Sequence, residues 1–121
     1  MFKYQVTKKL EIAGAHKLDL PYESKCRNFH GHNWLVYVEL SANELTEYGM
    51  VMDFTHIKKR IHEPLDHGNF NELFDFNPTA ENIAEWIANE LTGIFDGIWV
   101  TCTKVIVEES PNNSAIFNFI I

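Results

Sequence analysis

Alternation of apolar and polar residues near the N-terminus restricts the fold of this chain more than any other feature of its sequence. Apolar side chains at positions 2, 4 and 6 alternate with polar ones, and the pattern continues less regularly to His16. Residues 30–40 alternate in the same way. A period of two residues is typical of a strand with one buried face. The two segments, separated by a polar loop, predict a β-hairpin with a long connection.

The middle of the chain has the periodicity of helices. Asp53 or Thr55 can cap a first helix, which Pro64 and Gly68 are expected to disrupt. Its apolar face consists of Ile57, Ile61 and Leu65. A second helix is predicted after Pro78, with Thr79 as its cap and Gly93 and Gly97 at its end. Its apolar stripe is Ile83, Trp86, Ile87, Leu91 and Ile94.

Two further strands are predicted at the end of the chain. Residues 99–109 are rich in Val, Ile and Thr, residues 115–121 are apolar, and Ser-Pro-Asn-Asn at 110–113 forms the turn between them. The order β-β-α-α-β-β predicts one α+β domain over residues 1–121, with a four-stranded antiparallel sheet covered on one face by two helices. The exposed edges of such a sheet favour an oligomer.

Charge and cysteine content exclude several classes of protein. The formal charge of −7 argues against a nucleic-acid partner, because a binder of phosphate backbones needs a surplus of Lys and Arg. Two cysteines are too few for a disulfide framework, and residues 1–4 lack the apolar core of a signal peptide. No apolar run has the length of a membrane span. We therefore expect a cytoplasmic protein with no membrane partner.

Three histidines form a candidate metal site. His30 and His32 are two residues apart at the start of a predicted strand, so their side chains project from the same face. His16, at the end of the first strand, could be the third ligand. Three imidazoles with one open position are typical of catalytic zinc. The alternative, that His30 and His32 are ordinary surface residues of a strand, fits the spacing equally well.

Cys26 is a candidate nucleophile or base. It precedes His30 by four residues and lies between Lys25 and Arg27, and nearby cations stabilise a thiolate. The alternative is a small buried residue, the usual position of a free cysteine. Cys102 lies in an apolar strand with no cationic neighbour, and we assign it to packing.

Two acidic positions are candidates for acid/base chemistry and ligand binding. Asp66 precedes His67, and a carboxylate that orients an imidazole prepares a general acid or base. The alternative is a solvated turn. Glu109 lies in phase with two valines of its strand and could accept two hydrogen bonds from a guanine or pterin edge. The alternative is an exposed strand end. His62, on the charged side of the first helix, is expected to be solvated.

Together these residues resemble the 6-pyruvoyl-tetrahydropterin synthase family, and within it the bacterial 6-carboxy-tetrahydropterin synthases of queuosine precursor synthesis. The resemblance covers nearly the whole chain. It depends on six motifs in order: Ala15-His16, Cys26 with His30-Gly31-His32, Val51-Met52-Asp53-Phe54, Leu65-Asp66-His67, Asn77-Pro78-Thr79-Ala80-Glu81 and Glu109.

The resemblance implies a tunnelling fold, assembled into a homohexamer with active sites between subunits. It assigns roles to eight residues: His16, His30 and His32 bind Zn²⁺, Cys26, Asp66 and His67 form an acid/base set shared between subunits, Glu109 anchors the pterin ring, and Thr79 lines the pocket. The implied substrate is 7,8-dihydroneopterin triphosphate.

The product depends on the branch of the family. The 6-carboxy branch forms 6-carboxy-tetrahydropterin, acetaldehyde and triphosphate, whereas the 6-pyruvoyl branch eliminates triphosphate without cleaving the side chain. Cys26 precedes His30 by four residues, as in the 6-carboxy branch, and this spacing favours the carbon–carbon lyase. The 6-pyruvoyl reaction and a pterin-binding module without turnover remain open alternatives.

Overall fold

The computed structural model describes residues 1–120, so Ile121, the end of the last predicted strand, lies outside the described residues. The strands are β1 (Tyr4–His16), β2 (His30–Ala42), β3 (Gly68–Asn69), β4 (Gly93–Phe95), β5 (Ile98–Ser110) and β6 (Asn113–Asn118). The helices are α1 (Phe54–Ile57), α2 (Glu63–Leu65), α3 (Phe70–Leu73) and α4 (Ala80–Glu90), with a 3₁₀ turn at Lys25–Arg27 and a π-helical segment at Lys58–His62.

Four long strands form the predicted antiparallel sheet, in the order β1-β2-β5-β6. β1 and β2 pair along their whole length, from Tyr4 opposite Ala42 to His16 opposite His30, which confirms the predicted hairpin. The expectation of only four strands is wrong. β3 pairs in parallel with β1, and β4 pairs with the start of β5. These strands have two and three residues, too few for a periodicity to reveal them.

One face of the sheet and the helices share a single core, as the α+β prediction requires. Alternate residues of the long strands are buried there, and α4 packs on β5 and β6. The core includes Ile12, Trp34, Val36, Val38, Val105 and Val107 from the sheet, and Ile57, Ile61, Leu65, Ile83 and Ile87 from the helices. In the described part of the chain, no helix is long and apolar enough to cross a membrane.

The first helix continues through Pro64, contrary to the expectation that this residue disrupts it. α1, the π-helical segment and α2 follow one another without a break over residues 54–65. Proline lacks an N–H and its ring collides with the carbonyl four residues earlier. The wider π turn, in which the Glu63 N–H donates to the Lys58 carbonyl, lies immediately before Pro64. The helix ends at Leu65, before Gly68.

The second predicted helix is α4, and Thr79 is its cap: Oγ1 accepts a hydrogen bond from the Asn82 N–H at 3.1 Å. The assignment of Ile94 to its apolar stripe is wrong. α4 ends at Glu90, and Ile94 lies in β4 with 73% of its surface exposed. Gly93, with φ of +151°, allows the chain to turn from the helix into the β4–β5 hairpin.

Candidate metal and ligand site

The three histidines meet at the end of the β1–β2 hairpin. Pairing places His16 directly opposite His30, and His32 follows on the same face of β2. The ring centroids are 4.7 Å apart for His16 and His30, 4.8 Å for His30 and His32, and 5.6 Å for His16 and His32. His16 is fully buried, and the other two are partly exposed. The sheet register therefore brings together the residues that were predicted to bind a metal.

Backbone carbonyls orient two of these rings. His16 Nδ1 lies 2.7 Å from the carbonyl oxygen of Pro78, and His30 Nδ1 lies 2.6 Å from that of Asn28. A carbonyl oxygen only accepts, so Nδ1 carries the proton in both rings and donates it. In the neutral ring Nε2 then has the free lone pair, as in ligands of protein-bound metals. Pro78 belongs to the sequence motif at residues 77–81. However, no pattern of side chains predicts that a backbone carbonyl orients a histidine.

Glu109 extends into the same cluster. The strand periodicity of β5 places its side chain on the helix-covered face, in phase with the buried Val107. Its Oε1 atom lies 3.1 Å from Nε2 of His16, 3.0 Å from Nε2 of His32 and 3.9 Å from Nε2 of His30. The ligand atoms of all four residues lie within 4.8 Å of one another. The sequence indicated an inward-facing carboxylate but not its contact with three imidazoles.

His32 has the properties of a neutral ligand. Its Nε2 atom is buried and makes no hydrogen bond, although Oε1 of Glu109 lies 3.0 Å away. Burial lowers the pKa of the His32 imidazole, and the nearby Glu109 carboxylate opposes this shift in part. A neutral imidazole with an unpartnered nitrogen is the form that binds a metal.

A cavity of about 450 Å³ opens beside the cluster. Its lining residues are Lys25, Cys26, His30, His32, Glu109, Ser110 and Asn113. Cys26 is half-buried in the 3₁₀ turn, where Ser24 caps its backbone N–H. Of its two cationic neighbours, Lys25 lines the cavity, whereas Arg27 pairs with Glu23 at 3.2 Å. The sequence did not indicate Ser110 or Asn113 as lining residues.

Asp66 and His67 lie at the edge of β1. Asp66 Oδ1 accepts the Ala13 N–H at 3.0 Å, and the His67 N–H donates to the Ala13 carbonyl at 2.6 Å. The hydrogen bond from Ala13 lowers the pKa of Asp66, and His67 adds to this effect. The two side chains approach to 3.5 Å, yet the His67 side chain is 83% exposed. His67 lines a groove with Ala13, Gly68 and His32; of these, His32 also lines the cavity of Cys26, whereas His67 does not.

His62 is a third member of this region, and the expectation that it is solvated is wrong. Its side chain is 23% exposed, and Nε2 lies 3.8 Å from Oδ2 of Asp66. The spacing of four residues, which places two side chains on one face of a helix, was the available signal.

Two further predicted residues have clear local roles. Cys102 is fully buried, as its assignment to packing requires, and burial raises the pKa of its thiol to about 12. The Thr79 hydroxyl is occupied as the cap of α4, and its contact with a substrate stays a prediction.

Comparisons with known proteins agree on one family. Residues 5–119 match the family described as 6-pyruvoyl tetrahydropterin synthase. The chain is 26% identical to a Bacillus subtilis protein named 6-carboxy-5,6,7,8-tetrahydropterin synthase, over 96% of this chain and 86% of that one. It is 30% identical to the Rickettsia conorii protein of the same name, over 88% and 94% of the two chains.

A solved structure has the same architecture. The Caenorhabditis elegans 6-pyruvoyl tetrahydropterin synthase superposes with a TM-score of 0.69 at 26% identity, over 99% of both chains.

Proposed function

The chain belongs to the 6-pyruvoyl tetrahydropterin synthase family, and we propose that it is a zinc-dependent 6-carboxy-5,6,7,8-tetrahydropterin synthase. It would convert 7,8-dihydroneopterin triphosphate to 6-carboxy-tetrahydropterin, acetaldehyde and triphosphate, in the cytoplasm and on the route to queuosine. The observation that carries the proposal is the single cavity in which Cys26, His30, His32 and Glu109 meet. Its volume of about 450 Å³ is typical of small-molecule sites.

The residues present fit a zinc ion. His16 and His30 direct Nε2 into the cluster, and the buried Nε2 of His32 has no hydrogen-bond partner. Neutral imidazoles are preferred zinc ligands. His16, His30 and His32 would hold the ion, which supplies a Lewis acid that stabilises negative charge developing on the substrate side chain.

The remaining residues bind the substrate and move protons. The two carboxylate oxygens of Glu109 can accept the N–H and amino hydrogens of the pterin ring. Cys26, in the same cavity, would transfer protons to and from the side chain of the substrate. His67 would act as its partner, held by Asp66, whose carboxylate is itself fixed by the Ala13 N–H.

The separation of Cys26 from His67 supports a shared active site. The two residues line different cavities of one chain, and the exposed His67 side chain is available to a neighbouring subunit. We also propose that the chain forms a homohexamer, in which Asp66 and His67 of one subunit complete the cavity of the next.

The reaction product tests the function. The zinc-loaded protein is incubated with 7,8-dihydroneopterin triphosphate, the pterin product is identified by mass, and acetaldehyde is assayed. Acetaldehyde with a 6-carboxy pterin is expected. A 6-pyruvoyl product without acetaldehyde would move the chain to the other branch of its family, and tight binding without conversion would support a binding module.

The matched cysteine variants test the assigned chemistry. Cys26→Ala should lose turnover and retain zinc, whereas Cys102→Ser or Cys102→Ala should affect stability rather than the chemical step. Full activity in Cys26→Ala would contradict the role of this thiol.

A further inference from the structure

One oxygen atom of Glu109 faces three imidazole nitrogens at once, and this contact is difficult to explain by hydrogen bonding. Both ring nitrogens of His16 face oxygen acceptors: Nδ1 lies 2.7 Å from the Pro78 carbonyl and Nε2 lies 3.1 Å from Glu109 Oε1. A neutral imidazole has one N–H and can satisfy one of these contacts. The second requires an additional proton or a cation beside a fully buried ring.

His32 gives the same indication independently. Its Nε2 atom lies 3.0 Å from Oε1 of Glu109 but outside hydrogen-bond geometry, and it has no other partner. Two ligands of one metal ion show this relation, because their lone pairs point at the ion and not at each other.

The distances from Glu109 to the three histidines are close to those between ligands of one metal ion, and the four ligand atoms, which lie within 4.8 Å of one another, would draw closer around it. In a tetrahedral zinc site with bonds of about 2.0–2.1 Å, neighbouring ligand atoms lie about 3.4 Å apart. The three distances from Glu109 Oε1 to the Nε2 atoms of His16, His30 and His32 are 3.1, 3.9 and 3.0 Å. They bracket the tetrahedral value. The carboxylate therefore lies where a fourth ligand would be.

The proposed substrate needs the same carboxylate. Recognition of a pterin edge by two parallel hydrogen bonds uses both oxygens of Glu109, which then face the ring instead of the histidines. We infer that Glu109 alternates between two partners: without a pterin it is the fourth metal ligand, and pterin binding withdraws it and opens one coordination position. This inference rests on the proposed function for its pterin step, whereas the four-ligand resting site stands apart from any turnover.

Metal affinity without pterin tests the resting site. Zn²⁺ competition against a chromophoric chelator and the visible spectrum of bound Co²⁺ are measured for Glu109→Ala and Glu109→Gln. Glu108→Ala is the matched control, because Glu108 is the neighbouring carboxylate on the opposite face of β5. We expect Glu109→Ala to weaken Zn²⁺ binding at least about 10-fold, the lower range for loss of groups that support a metal site.

The control should keep the parent's affinity and Co²⁺ spectrum. Circular dichroism confirms that each variant is folded, and Glu109→Gln, with nearly the same shape, guards against a structural effect of Ala. If both Glu109 variants bind Zn²⁺ and Co²⁺ as the parent does, Glu109 is not a ligand and the inference is overturned.

Addition of pterin tests the exchange. Unsubstituted pterin, which has the ring but no side-chain hydroxyls, is added to the Co²⁺-loaded parent, and its binding is followed by its fluorescence. The parent spectrum should change toward that of Glu109→Ala. Absence of pterin binding, or binding with an unchanged spectrum, overturns the exchange. Neither measurement depends on conversion of substrate, so failure of the proposed reaction is distinguishable from failure of this inference.

Discussion

Two histidine-containing regions differ in how firmly contacts within one chain hold the histidine side chains. His16, His30 and His32 lie on two long paired strands, and backbone carbonyls hold the first two rings in place. His67, in contrast, follows a helix, has a φ of +58° and exposes 83% of its side chain. The sheet preorganises the histidine cluster within one chain, whereas the Asp66–His67 region fixes its carboxylate and leaves the imidazole exposed, as the proposed intersubunit site requires.

Removal of one histidine from each region should separate metal binding from acid/base catalysis most clearly. His32→Ala is expected to bind the metal much more weakly and to lose activity, because it removes one of the three histidine ligands. His67→Ala should retain the metal and lose about 10² to 10⁴ in kcat, the range for a general acid or base. Metal content by mass spectrometry and steady-state rates give the two readouts. Metal loss in His67→Ala would remove the distinction between the regions.

Mixed oligomers test whether the second region acts across subunits. Cys26→Ala and His67→Ala should each be inactive alone. Coexpressed with different tags and purified together, they should regain part of the activity, since some sites receive an intact Cys26 and an intact His67 from different chains. The rate per mixed oligomer is compared with the rates of the Cys26→Ala and His67→Ala proteins measured separately. No recovery in verified mixed oligomers would place both residues in the site of one chain.

A pair of glycine variants tests whether packing beneath the β1–β2 hairpin holds the histidine cluster in place. A Cβ on Gly14 would overlap the ring of Phe70, which packs on Trp34 beside His16. We expect Gly14→Ala to lower the free energy of unfolding by about 1–3 kcal/mol, the usual cost of overpacking, and to weaken metal binding. Urea unfolding and Zn²⁺ competition provide the measurements.

Gly31→Ala is the control for that substitution. Its Cβ would lie 3.7 Å from the Gly14 carbonyl oxygen, an ordinary contact, so a much smaller effect is expected. Equal destabilisation by the two variants would show that the packing beneath His16 is not what holds the cluster.

Of these four tests, the pH dependence of stability should show the smallest effect. It should reveal the carboxylate of Asp66, which the Ala13 N–H holds in place. The hydrogen bond from Ala13 holds the pKa of Asp66 below its usual value of 3.8. The folded state therefore favours the ionised form, and its stabilisation is present at neutral pH and declines as pH falls through 3.8 toward the lowered pKa. Asp66→Asn should unfold with a weaker acid dependence than the parent. Identical pH profiles in urea unfolding would contradict this coupling.

Local patterns were sufficient for much of the fold and part of the candidate site. Alternation located the first two long strands, composition rich in β-branched and apolar residues located the last two, and the apolar spacing located both main helices. Burial of one face acts on each segment separately, so each could be recognised by itself. The His30-x-His32 spacing and the hairpin register brought three histidines together. The inward phase of Glu109 followed from the strand period, and the packing role of Cys102 followed from its apolar strand and the absence of a cationic neighbour. The role of each site residue stays a prediction.

Short or exceptional elements did not follow from these patterns. β3 and β4 are too short to show a period. Ile94 fits the helical spacing of α4, but the chain has already turned at Gly93. The π-helical turn before Pro64 depends on the competition between an unfavourable proline and the burial of Ile61 and Leu65 against the sheet. Such competition is decided by the packing of the whole domain.

By itself, the sequence determined the four long strands, the two main helices and the residue types at the site. Only the tertiary structure decided their partners: His16 meets the Pro78 carbonyl 62 positions along the chain and the Glu109 carboxylate 93 positions along it. It also separated His67 from the cavity of Cys26. The physical reason is that strand and helix periods arise from neighbours in sequence, whereas hydrogen bonds and metal ligation depend on atoms that long-range packing brings within about 3 Å.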